Sequence, residues 1–449
     1  MKNKIIINRF NMGKKVYIQT YGCQMNVYDS EKLKGILSDK GYSLTEKPEN
    51  ADVIVLNTCC VREHAERRAL GRLTQLSHYK VKNPEVKLVM IGCVAQRIGE
   101  RLFDFAPLLD FILGTSQVFN LPEYLENKTR LANVSFKDSQ NIFDDVLPIR
   151  KNRYISHVAI SRGCNNFCSY CIVPYVRGPE RHRNIEDILN EVQCLSKSGC
   201  LEVMLVGQNV NSYKDKNYDF PDLLQEVNDK TDIKRIRFMT SHPKDLSLKL
   251  IEKMAELPKV CEHLHLPLQS GSSRILEKMN RGYTSEEYLE KIQNAKSKIK
   301  NLSLTTDLIV GFPSETQKDF EMTLDMVREI KFDSSFMFRY SIRDGTKAAE
   351  FEDDVFEKEK LRRLKELIEL QKRISLEKNK GLIGEKVEVL IDGKSRRDKK
   401  SWKGKSRNNK TVILKDEKEG SSGKDLLGEI VPVKISDCDS WTLFGEFIK

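Results

Sequence analysis

Three cysteines, Cys164, Cys168 and Cys171, stand at Cys-x3-Cys-x2-Cys spacing in the stretch SRGCNNFCSYC. Thiolates at this spacing suit three corners of a [4Fe–4S] cluster, because each iron accepts one cysteine sulfur. The fourth iron is then left without a protein ligand. A structural zinc site usually has four protein ligands, so the lone triplet favours an open, reactive metal position over zinc or three core cysteines.

Another set of cysteines, Cys23, Cys59 and Cys93, lies just past the ends of three apolar segments. Those segments are the predicted strands 15–20, 52–57 and 87–91, and 111–113 begins a fourth. Helices are predicted after each of the first three strands, the first of them from about residue 29 to residue 40. Continuous apolar strands that alternate with helices predict a parallel sheet covered on both faces.

The carboxyl ends of parallel strands lie along one edge of the sheet, where ligands bind. We therefore expect the thiolates of Cys23, Cys59 and Cys93 to converge and to hold a second [4Fe–4S] cluster. The alternative is that these small side chains simply pack in the core. Cys60 stands beside Cys59, and we interpret it as a core residue or one that supports a ligand.

Strand–helix alternation begins again near residue 150. Six strands are predicted, at 155–160, 202–206, 235–240, 263–268, 304–310 and 334–340, with helices between them such as 185–198 and 285–298. Such a series closes partly into a barrel whose site lies at the carboxyl ends of the strands. Polar residues gather at those ends, and we predict that the ligand site includes Gln208, Asn209, Ser241, Gln269 and Asp307, with Tyr170 from the cysteine triplet.

After residue 384 the pattern changes to short strands, which predict a small β-barrel. Its loop 394–410 has nine basic residues and a single acidic one, Asp398. Basic groups attract phosphates and an aromatic ring can stack on an unpaired base, although lysine runs are also ordinary solvated surface. We predict that RNA is bound by Arg396, Arg397, Lys399, Lys400, Trp402, Lys403, Lys405 and Arg407.

The length of 449 residues allows two or three domains, and we predict three, at 14–130, 150–380 and 384–447. The net charge of +11 permits a polyanionic partner. No apolar run is long enough to span a bilayer, and the N-terminal stretch MKNKIIINRFN lacks the pattern of a secretory signal. Eleven cysteines in such a chain indicate reduced thiols and metal ligation, so we expect a cytoplasmic protein.

Several strings resemble the radical-SAM methylthiotransferase family and, within it, the MiaB branch. They are YGCQMN at 21–26, NTC at 57–59, GCVAQ at 92–96, CIVPYVRG at 171–178 and MNRGYT at 279–284. The resemblance covers residues 14–447 in the family's order of methylthiotransferase domain, radical-SAM barrel and TRAM domain. Cys60 departs from the serine that is common in the family, and GPERHR at 178–183 departs from the usual GRERSR.

The resemblance implies methylthiolation at C2 of N6-isopentenyladenosine in tRNA, on the 3′ side of the anticodon, with two [4Fe–4S] clusters and two molecules of S-adenosylmethionine (SAM). One SAM donates a methyl group to sulfur held at Cys23, Cys59 and Cys93. The other is cleaved reductively at the Cys164 triplet, and the resulting radical removes hydrogen from C2. SAM is then the ligand of the polar site in the barrel. We expect a flavodoxin or ferredoxin as external electron donor, no membrane partner and a monomer.

Two alternatives stay open at the level of sequence. A sister methylthiotransferase acts on threonylcarbamoyl-adenosine in tRNA or on an aspartate of a ribosomal protein, which YGCQMN disfavours. The basic loop disfavours a protein substrate as well. A second alternative is an RNA-binding protein whose cysteines hold zinc or inert clusters. That reading leaves the open iron of the triplet without a purpose.

Overall fold

The computed structural model describes residues 13–60, 63–126, 129–136, 146–150, 152–414 and 425–448. The stretch MKNKIIINRFN lies outside them. The chain forms two compact units: Met1–Lys151, Ser161–Asn165 and Cys171–Arg183 make the first, and Asn152–Ile160, Asn166–Tyr170 and Asn184–Lys449 make the second. The three domain ranges predicted from the sequence stay predictions, because the two units divide the chain differently.

The first unit is built on a parallel sheet with the strand order β2-β1-β3-β4-β5-β6. Its strands are β1 (Lys15–Tyr21), β2 (Ser43–Leu44), β3 (Val53–Thr58), β4 (Lys87–Gly92), β5 (Phe111–Leu113) and β6 (Leu131–Asn133). Alternate residues of β3 enter two separate apolar clusters, with Ile54 and Leu56 in one and Val53 and Val55 in the other. The sheet is therefore covered on both faces, which confirms the prediction.

Helices of the first unit are α1 (Gln24–Asp39), α2 (Glu63–Lys82), α3 (Cys93–Ile98), α4 (Leu102–Phe105), α5 (Leu121–Glu126) and α6 (Val173–Arg177). A two-stranded hairpin of β8 (Ser161–Arg162) and β9 (Arg181–His182) completes the unit. The predicted start of the first helix at residue 29 is wrong. The helix begins at Gln24, with Cys23 in extended conformation at its N-cap, so Cys23 sits at the turn from strand to helix.

The second unit contains two parallel three-stranded sheets, β13-β10-β7 and β14-β15-β16. The strands are β7 (Ile155–Ala159), β10 (Glu202–Val206), β13 (Arg235–Phe238), β14 (His263–His265), β15 (Ser303–Val310) and β16 (Ser334–Arg339). A parallel bridge links Ile236 of β13 to Val260, three residues before β14 begins. The six strands follow one another in chain order, which confirms the predicted partial barrel.

Helices α7 (Ile185–Lys197), α8 (Phe220–Lys230), α9 (Leu248–Glu256), α10 (Ser273–Lys278), α11 (Ser285–Lys298), α12 (Gln317–Ile330) and α13 (Glu357–Lys380) belong to the same unit, as does a hairpin of β11 (Lys214–Asp215) and β12 (Tyr218–Asp219). The starts of α7 to α12 are set by side-chain caps, whereas α13 has none. Thr284 and Thr316, for example, form reciprocal capping boxes with Glu287 and Asp319. Two predicted strands, 235–240 and 263–268, end early, and the backbones of Thr240 and Gln269 beyond them adopt positive φ.

A closed barrel ends the second unit, with the strand order β17-β18-β19-β21-β20. Its strands are β17 (Lys386–Lys394), β18 (Trp402–Ser406), β19 (Thr411–Leu414), β20 (Ile430–Cys438) and β21 (Thr442–Phe447). Closure leaves no free strand edge. The small β-barrel predicted after residue 384 is thereby confirmed.

No helix among the described residues is long and apolar enough to cross a membrane.

Candidate functional site

The first cysteine set comes together at the carboxyl edge of the parallel sheet. Strands β1, β3 and β4 are neighbours, and Cys23, Cys59 and Cys93 follow their last residues directly or after one glycine. The turn into Cys93 requires Gly92, whose φ is +94° and where a Cβ would stand 2.5 Å from the carbonyl oxygen of Thr58. Cys59 and Cys93 are buried, whereas Cys23 is exposed.

Hydrogen bonds between these thiols lower the pKa of two of them and raise the pKa of the third. The Cys59 thiol donates toward Cys23 and Cys93, which lowers the pKa of Cys23 to about 6 and the pKa of Cys93 well below its ordinary range. The same bonds raise the pKa of Cys59. Cys59 therefore lies within hydrogen-bonding reach of both Cys23 and Cys93, as expected at the ends of three neighbouring strands, and the binding of a cluster by these cysteines stays a prediction.

Cys60 belongs to the same group of sulfurs. It is buried, and its hydrogen bond to Cys93 raises the pKa of the Cys60 thiol. Cys59 and Cys60 therefore both lie within hydrogen-bonding reach of Cys93. This contact of Cys60 with a proposed cluster ligand fits the prediction that Cys60 supports a ligand.

An amide network holds the turn that follows β1. Asn26 accepts a hydrogen bond from Sγ of Cys23 over 3.3 Å and donates to Oδ1 of Asn57 over 2.9 Å. Asn57 in turn donates to the backbone oxygen of Asn26 over 3.0 Å. Both amides are fully buried, so YGCQMN and NTC are joined by side chains that point away from solvent.

A buried arginine, Arg177 at the end of α6, reaches this cysteine set. Its Nη1 donates to Oδ2 of Asp29 over 2.9 Å and its Nη2 donates to Oδ1 of Asn26 over 3.3 Å. Burial opposes the charge of Arg177, but the charges of Cys93, Asp29 and Cys23 outweigh it and raise its pKa. Arg162 also pairs with Asp29. Two guanidinium groups thus share one carboxylate, and one positive charge is left to balance the thiolates.

Arg177, Arg162, Asp29 and Asn26 were not predicted from the sequence to belong to the site. Arg177 and Asn26 stand inside the strings CIVPYVRG and YGCQMN, so the signal was present. Their proximity is a property of the fold.

The second cysteine set, Cys164, Cys168 and Cys171, lies in the loop between β8 and α6. Cys164 and Cys168 are buried and Cys171 is half-buried. The division into units falls within this triplet, with Cys164 and Cys171 in the first unit and Cys168 in the second. The amide of Cys164 donates to the carbonyl oxygen of Gly178 over 3.2 Å.

Cys168 is surrounded by side chains that the sequence analysis did not assign to the site. Nη1 of Arg281 donates to Sγ of Cys168 over 3.3 Å, and Nε2 of His242 lies 4.0 Å from the same sulfur. Burial, reinforced by the charge of Arg281, lowers the pKa of His242 to about 2, so its imidazole is neutral. Arg281 stands in the string MNRGYT, and His242 directly follows Ser241, which was predicted for the ligand site.

In the part of the chain that the structure describes, no group of three or more His, Cys, Asp or Glu side chains converges on a single metal ion. Each cysteine of a [4Fe–4S] cluster binds its own iron, so such ligands do not converge on one ion. The thiols and the buried positive charge beside each set fit a cluster, which carries negative charge.

The barrel residues predicted to bind the ligand lie at its strand ends. Asn209, Ser241 and Gln269 follow β10, β13 and β14, and all three are buried. Asn209 Oδ1, Ser241 Oγ and Gln269 Oε1 have no hydrogen-bond partner among the described residues. A buried polar atom is costly when it is unsatisfied, so these three atoms at one rim are available to hydrogen-bond a polar ligand. They fit SAM, which has an amino group and ribose hydroxyls to share.

Three further residues were predicted for the same rim. Asp307 is partly exposed on β15, with Oδ2 3.7 Å from Nε2 of His265. The hydroxyl of Tyr170 accepts from Nη1 of Arg281 over 3.4 Å. Gln208 is half-buried immediately before Asn209. Their contacts with SAM stay predictions.

The basic loop of the C-terminal barrel is divided into an engaged part and an exposed part. Arg407 pairs with Glu262, its Nη2 2.7 Å from Oε1. Nζ of Lys405 donates to Oγ1 of Thr411 over 3.0 Å, and Lys403 pairs with Asp392 at 3.0 Å. The side chains of these three residues, all predicted to contact RNA, already have hydrogen-bond or ion-pair partners within the protein.

Trp402 also differs from expectation. The ring is buried in the barrel core, and Nζ of Lys394 lies 3.3 Å from its centroid. A base can stack on Trp402 only if the ring leaves the core, so the predicted stacking role is wrong. The exposed part of the loop, which we call the basic tip, consists of Arg396, Arg397, Lys399 and Lys400.

Three family models match successive parts of the chain. Residues 15–114 match the uncharacterized protein family UPF0004, residues 158–327 match the radical SAM superfamily and residues 380–448 match the TRAM domain. Among solved structures, the radical SAM methyltransferase TsrM from Kitasatospora setae has a TM-score of 0.57 at 12% identity, over 75% of this chain and 77% of that one. The cobalamin-dependent SAM radical enzyme OxsB has a TM-score of 0.53 at 15% identity, over 79% of this chain and 56% of that one. At such low identity these likenesses show the fold alone.

The folds and matches define a radical-SAM enzyme with a UPF0004 domain before the barrel and a TRAM domain after it, and radical-SAM enzymes use a [4Fe–4S] cluster and SAM. Relatives called tRNA-2-methylthio-N6-dimethylallyladenosine synthase match almost the whole chain. The protein from Thermoanaerobacter sp. strain X514 is 46% identical over 98% of this chain and 94% of its own. That from Clostridium botulinum strain Hall is 48% identical over 96% of each. The chain belongs to this tRNA-2-methylthio-N6-dimethylallyladenosine synthase family.

Proposed function

We propose that the enzyme methylthiolates C2 of N6-isopentenyladenosine at position 37 of tRNA, with two [4Fe–4S] clusters and two SAM per product. The observation that carries this proposal is that the Cys59 thiol, at the end of the central of three neighbouring strands, lies within hydrogen-bonding reach of both Cys23 and Cys93. A radical-SAM enzyme with one cluster needs only the Cys164 triplet. The thiols of Cys23, Cys59 and Cys93 lie beside Arg177, which shares the carboxylate of Asp29 with Arg162 and so leaves one positive charge unbalanced. A second cluster, bound by these thiols, explains both the thiols and the charge.

The two groups supply different chemistry when bound: an electron for SAM cleavage at the triplet, and sulfur for transfer at the first set. The protein residues bind and orient. Asn26 and Asn57 hold the turn of Cys23, while Asn209, Ser241 and Gln269 offer hydrogen bonds to SAM. The aromatic C–H bond at C2 is unactivated, so acid–base side chains alone do not lower its barrier enough, whereas a cofactor radical does.

The partners follow from this chemistry. The substrate is tRNA that already has the isopentenyl group, since relatives are called tRNA-2-methylthio-N6-dimethylallyladenosine synthases and the methylthio group is the part that this chemistry adds. The electron comes from an external flavodoxin or ferredoxin, and the enzyme acts as a cytoplasmic monomer.

Iron and sulfide content after anaerobic reconstitution tests the proposal. Wild type is expected to hold about eight irons and the triple Cys164/Cys168/Cys171→Ala variant about four. A fall from about four to none would leave a radical-SAM enzyme with one cluster. The tRNA nucleosides of a deletion strain then identify the substrate, and loss of a threonylcarbamoyl derivative would indicate the sister activity.

A further inference from the structure

The contacts of Arg281 set it apart from the other buried arginines of the second unit. The residue is buried, and it donates from Nε to the hydroxyl of Tyr283 over 3.0 Å and from Nη2 to the carbonyl oxygen of Pro267 over 3.0 Å. Its Nη1 donates to the sulfur of Cys168 over 3.3 Å. All of these contacts fix the guanidinium against the cysteine.

Among the described residues, Arg281 forms no ion pair with a carboxylate. By contrast, Arg237 pairs with Glu202 over 2.9 Å and Arg363 with Glu315 over 3.1 Å. Tyr283 does not supply the missing charge, because burial raises the pKa of its hydroxyl and keeps it neutral. A buried charge is costly unless it is paired. Nη1 of Arg281 has two acceptors, the hydroxyl of Tyr170 at 3.4 Å and the sulfur of Cys168 at 3.3 Å, and of the two it is the cysteine sulfur that becomes negatively charged when it binds a cluster.

We propose that Arg281 raises the reduction potential of the cluster at Cys164, Cys168 and Cys171 by holding a positive charge and an N–H···S hydrogen bond against Cys168. This rests on the proposed function, because it requires that cluster. The step concerned is the entry of one electron from the external donor, in which the cluster is reduced and no bond forms or breaks. Reduction adds a negative charge, so a fixed positive charge stabilises the reduced form more than the oxidised form. Hydrogen bonds to cluster sulfurs and local charge are known determinants of such potentials.

The test compares Arg281→Gln, which removes the charge, with Arg281→Lys, which retains it. The midpoint potential is measured by redox titration followed by electron paramagnetic resonance, in a Cys23/Cys59/Cys93→Ala background that leaves only the triplet. We expect Arg281→Gln to make reduction at least tenfold less favourable, a fall of about 59 mV for a one-electron couple. Arg281→Lys should stay closer to wild type. Lys298→Gln removes a positive charge from an exposed pair with Glu252 and is the control, with no expected shift.

Iron content is measured for every variant, so that loss of the cluster is seen directly. Loss of iron in Arg281→Gln with retention in Arg281→Lys also supports the proposal, because the charge is then needed to hold the cluster at all. A wild-type potential in both variants overturns it, and so does loss of iron in both, which would make the guanidinium a packing element. If the parent background itself holds no cluster, the proposed function fails, independently of Arg281.

Discussion

Nη1 of Arg177 and Oδ2 of Asp29 lie 2.9 Å apart, although the residues are separated by 148 positions in the chain. Asp29 belongs to the helix that starts after Cys23, and Arg177 ends the short helix that starts after the Cys164 triplet. The pair holds α6, which follows the Cys164 triplet, beside the turn that contains Cys23. It explains why a buried carboxylate and two arginines occur where only cysteines were predicted.

The two cysteine sets are expected to fail differently. Cys168→Ala should abolish the formation of 5′-deoxyadenosine, because SAM cleavage depends on the triplet. Cys59→Ala should retain that product and lose methylthiolation. Both products are measured by chromatography after incubation with SAM, reductant and isopentenylated tRNA. Normal methylthiolation by Cys59→Ala would show that the set of Cys23, Cys59 and Cys93 is misassigned, with Cys60 as the first residue to test.

Arg177 is expected to be needed for the first cysteine set. Arg177→Met removes the surplus positive charge and leaves the thiolates without compensation, so iron should fall from about eight to about four per chain. Deoxyadenosine formation should persist. Arg130→Met is the control, since Arg130 stacks on Phe103 in the same unit and contacts no cysteine among the described residues. Full iron content in Arg177→Met would contradict the role.

The basic tip is expected to contact tRNA phosphates. Reversing the charge of Arg396, Arg397, Lys399 and Lys400 should weaken binding and lower the slope of log K against log salt by ~0.9 for each lost contact. Binding is measured at several salt concentrations. The control reverses four exposed charges on α13, Lys358, Lys365, Lys372 and Arg373. A salt slope that is unchanged in the tip variant would remove the tip from the interface.

Glu315 is expected to make stability depend on pH. Burial raises the pKa of its carboxyl from 4.5 to about 7, against the opposing contacts of Gly311 and Arg363. Because the pKa of Glu315 is higher in the folded state than in the unfolded state, the protonated carboxyl stabilises the folded protein below pH 4.5. This stabilisation is lost as the pH rises to about 7. Between pH 5 and pH 8, the free energy of unfolding of Glu315→Gln should therefore rise by about 2 to 3 kcal/mol relative to that of wild type.

Urea unfolding of the cluster-free protein at the two pH values measures this difference. Glu321→Gln, at an exposed carboxylate of α12, is the control, and it should change the free energy of unfolding by less than about 0.5 kcal/mol at both pH values. An equal effect of Glu315→Gln at pH 5 and pH 8 would mean that the carboxyl is not the source of the pH dependence.

The elements and their order could be predicted from sequence because they depend on local patterns. Continuous apolar segments such as 53–58 predict buried strands, and the strand ends then place Cys23, Cys59 and Cys93 along one edge. The start of α1 could not be predicted, since the N-cap residue, Cys23, is not of the usual capping type and its side chain makes no capping hydrogen bond to the helix backbone.

The amino-acid sequence by itself determined the three-part order of the chain, the two cysteine sets and the basic loop, since spacing and composition are written along the chain. Only the tertiary structure decided which charges meet those groups. Arg177 reaches Asp29, Arg281 reaches Cys168 and Arg407 reaches Glu262, across separations of more than 100 positions in each case. The physical reason is that a buried charge is stable only beside its partner, and packing of the whole domain determines which partner that is.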